Sequence, residues 1–162
     1  MRRFFLIAAV LCAGPLAAQD LAYSDDQTAS CLNSADDFET RRTCIGLSAN
    51  ACMEAPGGSS TVGMGGCLDA ELRFWDRLLN ENYTARMAQA KAADAEAQTY
   101  QPNLAIQAEA LRDMQRAWIG FRDAACDYER SQWGGGTGAG PATLGCLMQM
   151  TGEQALHLGA AY

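Results

Sequence analysis

Apolar side chains recur along most of this chain at intervals of three and four residues, the repeat that gathers them on one face of an α-helix. Cys67, Leu68, Leu72, Trp75, Leu79, Asn82/Tyr83 and Met87 form the longest stripe and predict a helix over about 62–97. Beyond Met87 the chain is rich in alanine and carries no large side chain, so that end is expected to project into solvent or fray. Leu104, Ala108, Leu111, Met114/Gln115, Trp118, Phe121 and Ala125 predict a helix over about 103–130, with Pro102 placed to open it. Leu144, Leu147, Met148, Thr151, Ala155 and Leu158 predict a last helix over about 142–158. Two shorter candidates cover 25–35 and 38–54. Strand-like alternation and β-branched residues are scarce, whereas alanine favours helix. The expected fold is all-α, a small antiparallel bundle of helical hairpins.

Breaks separate these elements. The run Pro56, Gly57, Gly58, Ser59, Ser60 punctuates the chain before the long helix, and Gln101, Pro102 and Asn103 form a turn after it. Residues 133–141, from Trp133 to Pro141, are rich in glycine. A phosphate-binding loop would follow a strand and end in Gly-Lys-Ser/Thr; this segment follows a helix and holds no lysine, so it reads as a connection.

The first residues change the cysteine count. Arg2 and Arg3 precede an apolar stretch from Phe4 to Ala13, Gly14 and Pro15 break it, and Leu16, Ala17 and Ala18 supply small residues for cleavage. Residues 1–18 read as a secretory signal peptide cut after Ala18, which places the mature chain in the periplasm or outside the cell. Cys12 leaves with it, because Leu11 before it is not the small residue that a lipid-attachment signal wants. Of 7 cysteines in 162 residues, Cys31, Cys44, Cys52, Cys67, Cys126 and Cys146 remain. In an oxidising compartment these read as three disulfides. A reversal near residue 37 sets Cys31 opposite Cys44, the turn at Ser59 and Ser60 sets Cys52 opposite Cys67, and the glycine loop is flanked by Cys126 and Cys146. The bundle is therefore expected to be stapled by three local bridges.

Charge and residue inventory exclude several classes. The chain holds 12 Lys+Arg against 19 Asp+Glu, a formal net charge of -7. Loss of Arg2 and Arg3 leaves ten basic against nineteen acidic side chains, or -9. Nucleic acid is not an expected partner, since phosphate neutralisation needs clustered Lys and Arg. No cysteine pair has two-residue spacing and His157 is the one histidine, so no metal site and no cofactor are expected. No apolar run reaches the length of an integral membrane segment. Glu71, Asp76, Glu81 and Glu109 are the carboxylates from which a glycosidase pair would have to be drawn, but helix-face charges are usually solvated, and no hydrolase, metalloprotease or nucleotide motif occurs. The protein does not read as an enzyme.

Several of these residues together resemble a known family. Thr61, Met64 and Cys67, then Glu71, then Asp76, Leu79, Asn80 and Tyr83 are similar to the first half of the LprI-type lysozyme-inhibitor domain. Leu111, Arg112, Gln115, Arg116, Ala117, Trp118, Ile119, Phe121, Arg122, Asp123 and Cys126 look like its signature helix, and Cys146 and Thr151 also have counterparts. The resemblance spans about 61–157. Gln154 stands where the family usually has arginine, and residues 25–55 add a cysteine-bearing segment. The expected organisation is a signal peptide at 1–18, a cysteine-bearing helical segment at 19–60 and the LprI-like domain at 61–162.

What the resemblance implies is an exported helical protein that binds and inhibits lysozyme or another envelope-acting protein. A basic partner of this kind would be attracted by an acidic chain. The alternative is a structural or stress-related periplasmic domain with no enzyme target. Among the signature residues, Trp75 and Trp118 lie on apolar stripes and are expected to pack in the core. Arg116 or Arg122 is expected to pair with Asp76 or Asp123 between helices, because charges near a core need partners. Asn80 and Tyr83 are expected to cap or bridge helices, and Gln115 to sit on the second stripe. Two further spots offer aromatics to a partner, the turn Asp36, Asp37, Phe38, Glu39 and the loop after Trp133, although a solvated turn and a hinge aromatic explain them as well.

Overall fold

The computed structural model describes residues 21–160; the signal-peptide reading at 1–18 lies outside them. Six α-helices and one 3₁₀ turn follow one another: α1 (Asp26–Ser34), α2 (Phe38–Arg42), α3 (Leu47–Glu54), α4 (Thr61–Tyr100), the 3₁₀ turn Pro102–Leu104, α5 (Gln107–Ser131) and α6 (Ala139–Gly159). Among the described residues there is no strand. The architecture is the all-α bundle of hairpins that the periodicity predicts.

The long helix is the spine. At 40 residues α4 extends about 60 Å, and α6 lies against it over the largest packing surface in the molecule. Ser60 caps its start, accepting from the Gly63 N–H at 3.0 Å. Trp75, Leu79, Ala49, Met148, Ala155, Leu156 and Leu158 form the buried core, with Ile45, Leu72, Leu111 and Trp118 packed on its margin. Gly152 permits the close α4–α6 approach: a Cβ there would lie 2.8 Å from Ile45 Cδ1 and 3.1 Å from Trp75 Cδ2. At the far end of α6, Asn82 and Arg86 of α4 donate to the carbonyls of Ala155 and Leu158 at 2.9 and 2.7 Å, and the second is one that the helix end leaves open.

Three disulfides join Cys31 to Cys44, Cys52 to Cys67 and Cys126 to Cys146, the local pairs that follow from hairpin geometry. They tie α1 to the segment after α2, α3 to the start of α4, and α5 to α6.

Three expectations from the pattern are corrected. The helix over 38–54 is two helices, because Gly46 takes a left-handed conformation (φ 95°) and α3 starts anew after it. The helix expected from residue 103 starts at Gln107, after a 3₁₀ turn led by Pro102. Its start is set by Asp94 on α4, whose carboxylate accepts from the N–H groups of Gln107 and Ala108 at 2.7 and 2.9 Å. The alanine-rich end of α4 stays helical to Tyr100 and, past the buried Ala90, is largely exposed, as expected for an end that projects into solvent. Finally, Phe121 and Leu104 do not face the core; they are 64% and 54% exposed. The inward row on α5 runs through Leu111, Gln115, Trp118, Arg122 and Cys126, turned there by the bridge to Cys146.

Candidate functional site

Helices α4 and α5 diverge around a groove of ≈ 360 Å³. Its floor is Leu79 and Gln115, both buried, its walls are the half-buried Tyr83, Trp118 and Arg122, and its rim is the exposed Asp76, Asn80, Arg112, Arg116 and Ile119. The signature residues Asp76, Asn80, Tyr83, Gln115, Arg116, Trp118 and Arg122, scattered over almost fifty positions of sequence, therefore share one feature. Helical repeat brings them together: Asp76, Asn80 and Tyr83 lie one turn apart on α4, and Arg112, Gln115, Trp118, Ile119 and Arg122 follow the same rule on α5.

The charges do not pair as expected. Arg122 donates to Asp123 Oδ1 from Nε and Nη2 at 2.9 and 2.8 Å, and Arg116 lies 3.7 Å from Asp113. Both pairs run along α5 and not between helices. A side chain on the same helix, next in sequence or one turn away, is reached with less loss of freedom than one across the groove. Arg122 also stacks its guanidinium over the Trp118 ring, 5.0 Å from the centroid. Asp76 accepts from Asn80 Nδ2 at 3.1 Å, and Asn80 also donates to the Asp76 carbonyl at 2.8 Å, so Asn80 acts within α4.

Trp75 and Asp123 do not line the groove. Trp75 is fully buried in the core, and Asp123 is exposed beside Arg122. Gln115 meets α6 through Gln154, whose Nε2 donates to Gln115 Oε1 at 3.0 Å. Two neutral amides thus meet between α5 and α6. Thr151 is buried on α6, its hydroxyl without a hydrogen-bond partner among the described residues.

Glu71 is not a solvated helix-face charge. Its side chain is fully buried, and Oε1 accepts from Thr28 Oγ1, the Gly46 N–H and Trp75 Nε1 at 2.9, 2.7 and 3.0 Å. Oε2 accepts from the Ala49 N–H at 2.6 Å. A carboxylate so surrounded by donors caps α3 and holds α1 down, and it is buried out of reach of a substrate. The signal was present as the spacing of Glu71 and Trp75, one turn apart on an otherwise apolar face.

The two aromatic spots are built differently. Asp37 caps α2, accepting from the Thr40 N–H at 2.8 Å, and this bond with that from the Thr40 side chain holds its carboxyl below the ordinary range. Phe38 beside it is 40% exposed. Trp133 folds over Gly138 and its Nε1 lies 3.5 Å from Glu129 Oε1, so it closes the glycine loop onto the start of α6. Among the described residues no group of three or more His, Cys, Asp or Glu is placed to hold a metal ion.

Fold and groove together define a disulfide-stapled helical module with a side-chain-lined recess. The family comparison names the class further: residues 52–158 match the model of the lysozyme inhibitor LprI, and the chain belongs to that family. An uncharacterized 17.7 kDa protein in the puhA 5' region of Rhodobacter capsulatus is 27% identical over 144 residues, covering 86% of this chain and 87% of the relative. An uncharacterized protein of Rhizobium meliloti is 34% identical over 92 residues, covering 57% of this chain and 66% of its own length. No solved structure matches.

Proposed function

We propose that the protein is an exported, disulfide-stabilised binding protein that inhibits lysozyme or another envelope-acting protein. The observation that carries this reading is the family match, which spans α4, α5 and α6 together with the end of α3. The architecture supports it. Three disulfides suit an oxidising compartment, and among the described residues no helix is long and apolar enough to cross a membrane. The acidic surplus of the chain favours encounter with a basic enzyme. In the proposed organisation residues 1–18 are removed as a signal peptide, 19–60 form a segment braced onto α4 through Thr28, Gly46 and Ala49, and 61–162 form the family domain.

The signature residues are proposed to act in two groups. Trp75 holds the core, and Asp76, Asn80, Tyr83, Gln115, Arg116, Trp118, Arg122 and Asp123 shape the groove and its edge. The test is lysis of cell-wall suspensions by several lysozyme types in the presence of excess oxidised protein. Slower lysis that returns when the disulfides are reduced is the expected result. Undiminished lysis by every type at micromolar excess overturns the proposal.

A further inference from the structure

The composition of the α4–α5 groove runs against that of the molecule. The chain carries more acid than base, 19 against 12, yet the groove lining holds Arg112, Arg116 and Arg122 against Asp76 as its one carboxylate. Two of these arginines are weakly engaged. Arg112 has no ion-pair partner among the described residues, and Arg116 is 72% exposed with Asp113 at 3.7 Å. They stand four residues apart on one face of α5, a like-charge spacing that the exposed Asp113, 3.7 Å from Arg116, offsets only in part. Asp76 does not answer it, being engaged by Asn80. At ≈ 360 Å³ the groove lies near the small end of the about 300–1,000 Å³ that small-ligand sites occupy.

From this arrangement we infer that the groove is a binding site for an acidic saccharide, a sugar of one or two rings bearing a carboxylate. Guanidinium groups grip a carboxylate through paired, charge-assisted hydrogen bonds, and the exposed Arg112 and Arg116 form that clamp. The half-buried rings of Trp118 and Tyr83 offer apolar surface to the C–H face of a pyranose, and Asn80, whose amide N–H groups are engaged by Asp76, offers its Oδ1 as an acceptor to a sugar hydroxyl. An acidic peptide would satisfy the arginines equally well. The aromatic walls and the small concave volume favour the sugar. Sugar binding in the groove does not rest on lysozyme inhibition and is measured apart from lysis.

Calorimetric titration of the oxidised protein with the disaccharide of N-acetylglucosamine and N-acetylmuramic acid, with digalacturonate and with neutral chitobiose tests this. Both acidic disaccharides are expected to bind at least about tenfold tighter than chitobiose, and added salt should erase most of the difference. The double variant Arg112→Gln/Arg116→Gln should lose about tenfold for the acidic sugars while keeping its helical circular dichroism, since both side chains are exposed. Trp118→Phe should weaken charged and neutral sugars together. Three outcomes overturn the inference: no binding of either acidic disaccharide at millimolar concentration, equal affinity for chitobiose, or wild-type affinity in the double variant. Tighter binding of a tri-glutamate peptide would reassign the groove to a polypeptide.

Discussion

Trp75 Nε1 donates to Glu71 Oε1 at 3.0 Å, and both side chains are fully buried one turn apart on α4. The bond joins the centre of the core to the cap of α3. It also shows how a carboxyl group is accommodated in the interior: its oxygens accept from three other residues as well. Glu71→Ala strands those donors in the interior and is expected to cost about 3–5 kcal/mol in urea unfolding. Glu71→Gln, which turns an amide donor toward N–H groups, should cost about 2 kcal/mol. Asp69→Ala on the same helix, which removes an exposed pair with Arg73, should cost less than about 0.5 kcal/mol.

Gly46 supplies an N–H to the same carboxylate from a left-handed backbone. Gly46→Ala is expected to destabilise by about 1–2 kcal/mol, because the strained φ remains even though Met148 Cε leaves a 3.4 Å contact. Gly140→Ala, at an open position on α6, should be neutral or stabilise by up to about 1 kcal/mol. Thermal melts of the two variants should shift in opposite directions, or only the first should shift.

The disulfides close segments of similar length, with separations of 13, 15 and 20 residues. Chain entropy therefore assigns each about 2–4 kcal/mol, differing by only about 0.4 kcal/mol from shortest to longest. Paired Cys→Ala variants should lower stability in that range. A much larger loss for one pair would mean that its bridge also holds a native contact. Non-reducing peptide maps should show the three local pairs alone.

Arg42 on α2 donates to Glu153 on α6 at 2.8 Å. Burial pushes the Glu153 carboxyl up, but hydrogen bonds from Gln149 and Arg42 and the arginine charge pull it below the ordinary value. A depressed folded value stabilises above the unfolded value and stops doing so as pH falls through the folded one. Glu153→Gln should therefore cost up to about 1 kcal/mol at neutral pH, the pair being partly exposed. That difference should vanish in acid, as unfolding curves at several pH values would show.

Much of the fold was legible because its signals are local. The stripes through Trp75, Gln115 and Met148 name the three long helices, and the hairpins between them place each cysteine opposite its partner. The groove was legible only as separate signature residues. Nothing in the spacing of Asp76 and Arg116 says that they face one recess, or that Arg116 answers Asp113 instead.

The sequence by itself determined helix number in the long hairpins, the local bridges and the acidic balance, since each depends on neighbours within a few turns or on a simple count. Tertiary structure alone decided where α3 and α5 begin, because Glu71 and Asp94 on α4 set those ends from afar. It also decided that Phe121 turns outward while Arg122 turns in. Rows three and four residues apart are equivalent on an isolated helix, and only packing against α4 and α6 chooses between them.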